Sequence, residues 1–467
     1  MIIESFSGIR GVYGKDINTE IARKYVVAYA QFLKLKKQKP TVVIGMDTRQ
    51  SSPEIKKVMT EKFITNGCDI IDSGVNTTPA IELAVREHKA DGGVIITGSH
   101  NEPEYNGWKF LNTNGSILEP EDADLVISNY RKGTKITAAK TKGNIVDKTE
   151  EIRKAYIKFV LSSVGKEGIE KIKSKKLKII VDPNGGAAAT VIREVLQQLG
   201  ADIVEKNMKL GEFKRPIEPN SKTLVYLSNA VKKEKADLAA GFDCDGDRVE
   251  MIDDCGEMIS GQYVLALITE EILSQNKQKN SIIIVNDATS GIVKEIAEKY
   301  GAKTEEVEVG EINVVKKMEE KKSLVGGEGS NGGVIIPPSK CRDGIQGLAI
   351  MMRLIVRTGK KLSQISKELP KYYTPRTNVK CEADVDLRKL KRKIEEISIE
   401  EGYAITKTGD ETGGLKIIID DTSWIWYRGS KTEAGVFRII IDSKSEKKSQ
   451  ELLKKGEEIF QKAVRTI

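Results

Sequence analysis

The chain has 467 residues, of which 39% are hydrophobic and 31% charged, with 12 prolines. This is the make-up of folded globular protein, long enough for three or four domains and a substantial core, and it excludes disordered and membrane-embedded classes. Lysine and arginine total 76 against 68 aspartate and glutamate, giving a formal net charge of +8; the signs mix along helical faces and aromatics are only 5%, so no nucleic-acid partner is expected.

No apolar run reaches the roughly 18 residues needed to cross a bilayer, and even Leu348 to Val356 is broken by Arg353. Met1 to Ser5 lacks the basic flank and apolar stretch of a signal peptide, so a cytoplasmic protein without a membrane partner is expected. The five cysteines, Cys68, Cys244, Cys255, Cys341 and Cys381, are scattered and contain no C-x-x-C pair, which argues against disulfides and zinc. With only His88 and His100, a mechanism needing several imidazoles is nearly excluded.

In chain order, Glu20 to Leu35 has helical apolar spacing, Thr41 to Gly45 reads as a buried strand, and a second helix starts at Pro53. Strand Gly93 to Thr97 ends in a polar loop, Gly98 to Gly107, and a charged stretch near Lys140 to Lys148 suits a linker. The next unit has a helix from Thr149, strands Leu177 to Val181, Ala201 to Val204 and Ala236 to Phe242, and helices after Gly186 and Ser221. A third opens with strand Ser281 to Val285, passes helices near Gly291 and Glu311, and reaches strand Ser323 to Gly326. From Tyr372 the pattern changes: strand Pro375 to Cys381, helix Leu387 to Ser398, strands Leu415 to Ile419, Trp424 to Arg428 and Val436 to Ile441, and a closing helix. The expected fold is α/β: three consecutive mixed-sheet α/β domains and a C-terminal α+β domain, with ligand loops beyond strand ends.

Four loops carry chemistry. In Thr97-Gly98-Ser99-His100-Asn101, a serine stands where a strand has just ended, next to one of two histidines and ahead of Lys109; it is a candidate nucleophile but lacks the G-x-S-x-G of a hydrolase elbow. Asp243-Cys244-Asp245-Gly246-Asp247-Arg248 puts three carboxylates at alternating positions, a pattern that suits a hard cation such as magnesium. It is not an EF-hand, since Arg248 holds the sixth position and Asp254 the twelfth. Gly326 to Gly333 offers Glu328, Ser330 and Asn331 to sugar hydroxyls, followed by Arg342-Asp343-Gly344 at a helix start. Arg428-Gly429-Ser430-Lys431-Thr432 combines cations, hydroxyls and backbone amides as a phosphate cradle.

In this order, the four loops resemble the alpha-D-phosphohexomutase superfamily over essentially the whole chain. Phe6-Ser7-Gly8-Ile9-Arg10-Gly11 is similar to that family's amino-terminal signature, although the Gly-Thr usually ahead of it is shortened, and Arg215 to Asn220 matches a segment ahead of the metal loop. The resemblance implies four domains around a central cleft, at 1–145, 146–255, 256–370 and 371–467. It implies a phosphorylated Ser99, with Mg²⁺ on Asp243, Asp245, Asp247 and the Ser99 phosphate, and exchange of phosphate between O1 and O6 of a hexose primed by hexose 1,6-bisphosphate. Arg10, Lys109 and Arg248 are the available counter-charges. Lys109 is the favoured proton carrier, on the expectation that neighbouring cations favour its neutral form, and His100 orients the loop or donates to phosphate. Glu328, Ser330, Asn331 and Arg342 would bind sugar, and Arg428, Ser430, Lys431 and Thr432 the distal phosphate.

The third loop lacks the histidine of Glu-x-Ser-Gly-His, common in glucose and mannose mutases, and approaches the Glu-Gly-Asn-Gly-Gly of glucosamine-phosphate relatives. The Ser99 loop is closer to phosphomannomutase/phosphoglucomutase sequences, which is the reading favoured, with phosphoglucosamine mutase as the alternative. A metal-dependent phosphatase or a non-catalytic sugar-phosphate binder are remote competitors, and a monomer or homodimer is expected.

Overall fold

The computed structural model describes residues 2–134, 139–276, 280–381, 385–430 and 435–466. They form two compact units: residues 1–260 with 333–363, and residues 261–332 with 364–467.

In the first unit, β1 (Ile3–Ser5), β2 (Gly8–Val12), β3 (Thr41–Met46), β4 (Asp69–Val75), β5 (Gly92–Ile96), β6 (Tyr105–Leu111) and β7 (Ile145–Asp147) form one sheet in the order β1-β2-β6-β5-β3-β4-β7. β3, β4, β5 and β7 run parallel, and β6 is antiparallel to β5 and β2. Val42 to Ile44 and Val94 to Ile96 are buried without alternation, as expected of strands covered on both faces. Helix Thr19–Lys34 is capped by Asn18, whose side chain accepts from Ile21 N, and it buries Tyr25, Val26, Tyr29, Phe32 and Leu33. Tyr25 meets Trp108 edge-on and Tyr29 stacks on Phe110, so this helix fastens β6.

Two expectations change here. The polar loop after Ser99 ends at Tyr105, where β6 begins, so Lys109 stands on a central strand. The segment read as a linker supplies β7, which pairs with β4 and carries the sheet past residue 145.

A second sheet of this unit contains β8 (Lys178–Asp182), β9 (Asp202–Glu205), β10 (Leu238–Phe242), β11 (Val249–Asp253) and β12 (Met258–Ile259), ordered β12-β11-β10-β8-β9. β10 and β11 are antiparallel with Phe242 opposite Val249, so residues 243–248 form the tight connection between them.

The second unit opens with parallel strands β13 (Ile282–Asn286), β14 (Lys303–Val307) and β15 (Gly326–Glu328). The expected strand at 323–326 begins only at Gly326, which pairs with Ile284. The chain then supplies β16 (Gly333–Ile335) and helix Gly344–Thr358 to the first unit. Back in the second unit, β17 (Arg376–Lys380), β18 (Ala404–Lys407), β19 (Leu415–Asp420), β20 (Ser423–Gly429) and β21 (Val436–Asp442) form an antiparallel sheet ordered β17-β21-β20-β19-β18. Side chains alternate along β20 and β21. Ile425, Tyr427, Phe437 and Ile439 pack with helices Leu387–Glu400 and Glu446–Val464, while Trp424, Trp426 and Ile440 pack with Ala288. The four sheets match the three α/β layers and the α+β layer expected from sequence. Among the described residues no helix is long and apolar enough to cross a membrane.

Candidate active site

The first unit gathers one constellation at the ends of β3, β5 and β10. Ser99, three residues past β5, is 1% exposed and has φ +50°, a left-handed conformation that costs a non-glycine residue ~1–2 kcal/mol. Its N–H donates to Thr97 Oγ1 at 2.7 Å, and its hydroxyl lies 3.5 Å from His100 Nδ1. Burial, then the charges of Arg248 and Arg10, hold the His100 imidazole well below its ordinary pKa, so it is neutral at neutral pH.

Asp243, Asp245 and Asp247 are fully buried, and one ligand oxygen from each lies within 4.8 Å of the others. Each carboxylate spends one oxygen on the protein. Asp243 Oδ1 accepts from Gly246 N and Arg248 N; Asp245 Oδ2 accepts from Thr78 Oγ1 (2.7 Å) and Lys109 Nζ (3.0 Å); Asp247 Oδ2 accepts from Arg342 Nη2 (2.8 Å) and Lys109 Nζ (3.3 Å). The second oxygens, Asp243 Oδ2, Asp245 Oδ1 and Asp247 Oδ1, have no hydrogen-bond partner. Asp247 Oδ1 has Arg248 Nε nearby, at 3.9 Å; buried carboxylate oxygens without hydrogen bonds are costly unless a cation completes them, so this donor set fits a hard, oxygen-binding divalent ion. Gly246, at φ +73°, makes the turn that brings the third aspartate round.

Charges divide the triad. Burial and the two neighbouring carboxylates push Asp243 far up; against the same burial, Arg342, Lys109 and Arg248 hold Asp247 below the usual range. Lys109 faces two carboxylates, Asp245 and Asp247, and Arg342 and Arg248 act on the same Asp247. Arg10, on β2 opposite Gly107 of β6, is buried and lowered to about 10, chiefly by desolvation, and so stays cationic at neutral pH. Arg248 Nη1 donates to Glu218 Oε1 at 3.2 Å, drawing on the segment noted ahead of the metal loop.

Arg342, expected at the sugar, donates to Asp247 Oδ2, and the N–H of Gly344 two residues on donates to Gly246 O at 3.3 Å. The start of helix Gly344–Thr358 thus abuts the aspartate loop. Two contributors were missed in the sequence. Thr78 fixes Asp245 through both its hydroxyl and its N–H, and Arg49 ties down the Ser99 loop. The only sequence signal for Arg49 is its place just after a strand end, in Asp47-Thr48-Arg49.

The second unit gathers the rest. Glu328 Oε1 accepts from Gly310 N (2.9 Å) and Asn286 Nδ2 (3.2 Å), and Asn286 Nδ2 also reaches Ser330 Oγ at 3.3 Å. Arg428 donates from Nη2 to Glu308 Oε1 at 2.7 Å and from Nε to Thr412 O at 3.3 Å. The turn Glu308 to Gly310 therefore touches both Glu328 and Arg428. Ser430 N donates to Val436 O. Lys431 and Thr432 lie outside the described residues, as does the side chain of Asn331.

Three family models match: phosphoglucomutase/phosphomannomutase alpha/beta/alpha domain I over residues 3–137, domain II over 154–256 and domain III over 260–373. A phosphoglucomutase/phosphomannomutase of Thermococcus kodakarensis is 35% identical over 462 residues, covering 98% of both chains. A probable phosphoglucosamine mutase of Pyrococcus horikoshii is 30% identical, covering 99% of this chain and 98% of that protein. Among solved structures, a phosphoglucomutase/phosphomannomutase family protein of Burkholderia thailandensis has a TM-score of 0.82 at 22% identity, covering 99% of this chain and 96% of the other. The Aspergillus fumigatus N-acetylphosphoglucosamine mutase, in complex with GlcNAc-6P and magnesium, has a TM-score of 0.57 at 14% identity over 99% and 95%. With these matches running almost end to end, the chain belongs to the alpha-D-phosphohexomutase superfamily, and is an isomerase that moves phosphate within a phosphohexose.

Proposed function

We propose that this phosphohexomutase interconverts hexose 1-phosphate and hexose 6-phosphate by way of a phosphate carried on Ser99 and a hexose 1,6-bisphosphate. The observation that carries the reading is the bridge made by Lys109: it stands on β6, the strand paired to β5, which leads into the Ser99 loop, and it donates to Asp245 and Asp247. Nucleophile loop and ion cage are thereby joined.

In the forward half-reaction the free sugar hydroxyl attacks phosphorus. A new O–P bond to the sugar forms, the P–Oγ bond of Ser99 breaks, and the proton lost by the sugar hydroxyl is restored to Oγ. The second half-reaction reverses this at the other end of the bisphosphorylated sugar. Arg10, Arg248 and Lys109 neutralise the phosphate oxygens, and neutral His100 has one ring N–H to orient Ser99 or its phosphate. Lys109 is the proton carrier in this scheme, standing within hydrogen-bond reach of Asp245 and Asp247. Asp243, Asp245 and Asp247 would hold Mg²⁺ through the three oxygens that make no hydrogen bond. When bound there, the ion would supply charge neutralisation for phosphoryl transfer.

Glu328, Ser330 and Asn331 read the sugar, and Arg428, Ser430, Lys431 and Thr432 its far phosphate. Arg342 is reassigned in this reading to orienting Asp247. Glucose and mannose phosphates are the favoured substrates, since the T. kodakarensis relative carries that name; glucosamine phosphate is the second reading, supported by the P. horikoshii relative and by Glu328-Gly329-Ser330-Asn331-Gly332-Gly333. The protein acts in the cytoplasm as a monomer or homodimer, in four domains whose first boundary is drawn after Asp147.

The test is product analysis with each hexose 1-phosphate, magnesium and a trace of the 1,6-bisphosphate. The 6-phosphate should appear with little inorganic phosphate, and Ser99→Ala should lose roughly a thousandfold or more in turnover while still binding substrate. Stoichiometric phosphate release, or an active Ser99→Ala protein, would end the proposal.

A further inference from the structure

Arg49 is fully buried, and its guanidinium is aimed at the Ser99 loop. Nη2 donates to Ser99 O (2.7 Å) and Asn101 O (2.5 Å), and Nη1 to Glu102 O (2.6 Å) and Tyr105 O (3.0 Å). Four carbonyls of one loop thus converge on one planar cation, a geometry that five fixed N–H donors can meet and an ammonium cannot.

The fifth donor, Nε, is held by Asp47 Oδ2 at 3.1 Å, and Asp47 is itself fixed by Ser52 Oγ (2.7 Å) and Arg49 N (2.9 Å) through Oδ1. Cys244, inside the aspartate loop, points its thiol at the same Asp47 Oδ2 at 3.4 Å. Gly98 completes the contact: a Cβ there would lie 2.8 Å from Arg49 Cζ and Nε, so the loop approaches this closely only because residue 98 has no side chain.

Resting on the reading of Ser99 as the phosphate carrier, we infer that Arg49 is the positioning residue that holds Ser99 in its left-handed conformation and so aims Oγ for transfer. Arg49 touches neither sugar nor phosphate in this role. It acts by binding Ser99 O and the carbonyls that follow, while Asp47 fixes the guanidinium against the end of β3. Released from Arg49, Ser99 relaxes towards ordinary φ and its hydroxyl turns away; a displacement of about 1 Å at a reacting atom is worth roughly a hundredfold in rate.

Arg49→Lys keeps the charge and loses the fork. Mixed in a single turnover with glucose 1,6-bisphosphate, dephosphorylated Arg49→Lys protein should take up phosphate on Ser99 about a hundredfold more slowly than the parent, with KM within about threefold and an unchanged circular-dichroism spectrum. Arg49→Ala should regain part of the rate on addition of ethylguanidinium and none with ethylammonium. If neither Arg49 variant folds, Gly98→Ala reads the same contact from the loop side and should also slow transfer. Parent-like transfer in Arg49→Lys or Gly98→Ala, or a rate loss equal to the unfolded fraction, overturns the inference. A parent protein that takes up no phosphate sinks the mutase reading and this inference with it; a competent parent with an equally competent Arg49→Lys sinks this inference alone.

Discussion

Three carboxylates packed at full burial repel one another, and the protein answers by giving one oxygen of each to a donor and leaving the other without a hydrogen bond. A divalent cation would complete these oxygens. Adding Mg²⁺ at about a hundred times its dissociation constant should therefore stabilise the fold by ~2.7 kcal/mol, visible as a rise in Tm without any substrate. The rise should shrink or vanish in Asp245→Asn; an equal rise there would mean the ion binds elsewhere. Asp442 offers a pH test in the second unit. Burial lifts its carboxyl to about 7, Gly291 N donates to Oδ2 at 2.8 Å, and Oδ1 has no hydrogen-bond partner. Because its folded pKa lies above that of the unfolded chain, its stabilising contribution is complete below about pH 4 and is lost as pH rises through about 7. Asp442→Asn should consequently gain in Tm over the parent at pH 8 relative to pH 5, and a difference independent of pH would contradict the assignment.

At the scale of elements, the aspartate loop is shaped by its surroundings as much as by its own residues. Phe242 and Val249 pair directly, which compresses six residues into one turn, and helix Gly344–Thr358 closes over it. A Cβ on Gly344 would lie 2.9 Å from Arg248 O, so Gly344→Ala should push helix and loop apart, weakening Mg²⁺ binding by about tenfold in a titration while leaving most of the fold intact. The loops bearing Ser99 and the aspartates were legible in sequence because each follows a short apolar run with no charge in it, and the alternating aspartates have few other uses. β6 was not legible: Asn106-Gly107 reads as a turn, and its strand character comes from pairing on both edges, with β2 and β5, and from Trp108 and Phe110 packing on Tyr25 and Tyr29. Thr78 and Arg342 could not be assigned to the aspartates for the same reason. Their partners are more than 90 positions away, and only the folded chain makes them neighbours.

For the whole molecule, the residues proposed to read sugar and far phosphate lie in the second unit, where Arg428 is already engaged by Glu308. A phosphate arriving at Arg428 must compete with that carboxylate, so Glu308→Gln should lower KM for hexose phosphate by about threefold to tenfold with little change in Tm. An increase in KM would show that Glu308 serves the substrate instead. The net charge of +8, by contrast, is a small excess of 76 basic over 68 acidic residues, and retention on heparin should be weak. What most directly probes the molecule as a phosphate carrier is the fate of phosphate on Ser99. Protein bearing labelled phosphate at that residue should, on mixing with unlabelled hexose 1-phosphate and magnesium, pass the label to hexose 1,6-bisphosphate and then hexose 6-phosphate within a single turnover. Label that stays on Ser99 while 6-phosphate accumulates would contradict it.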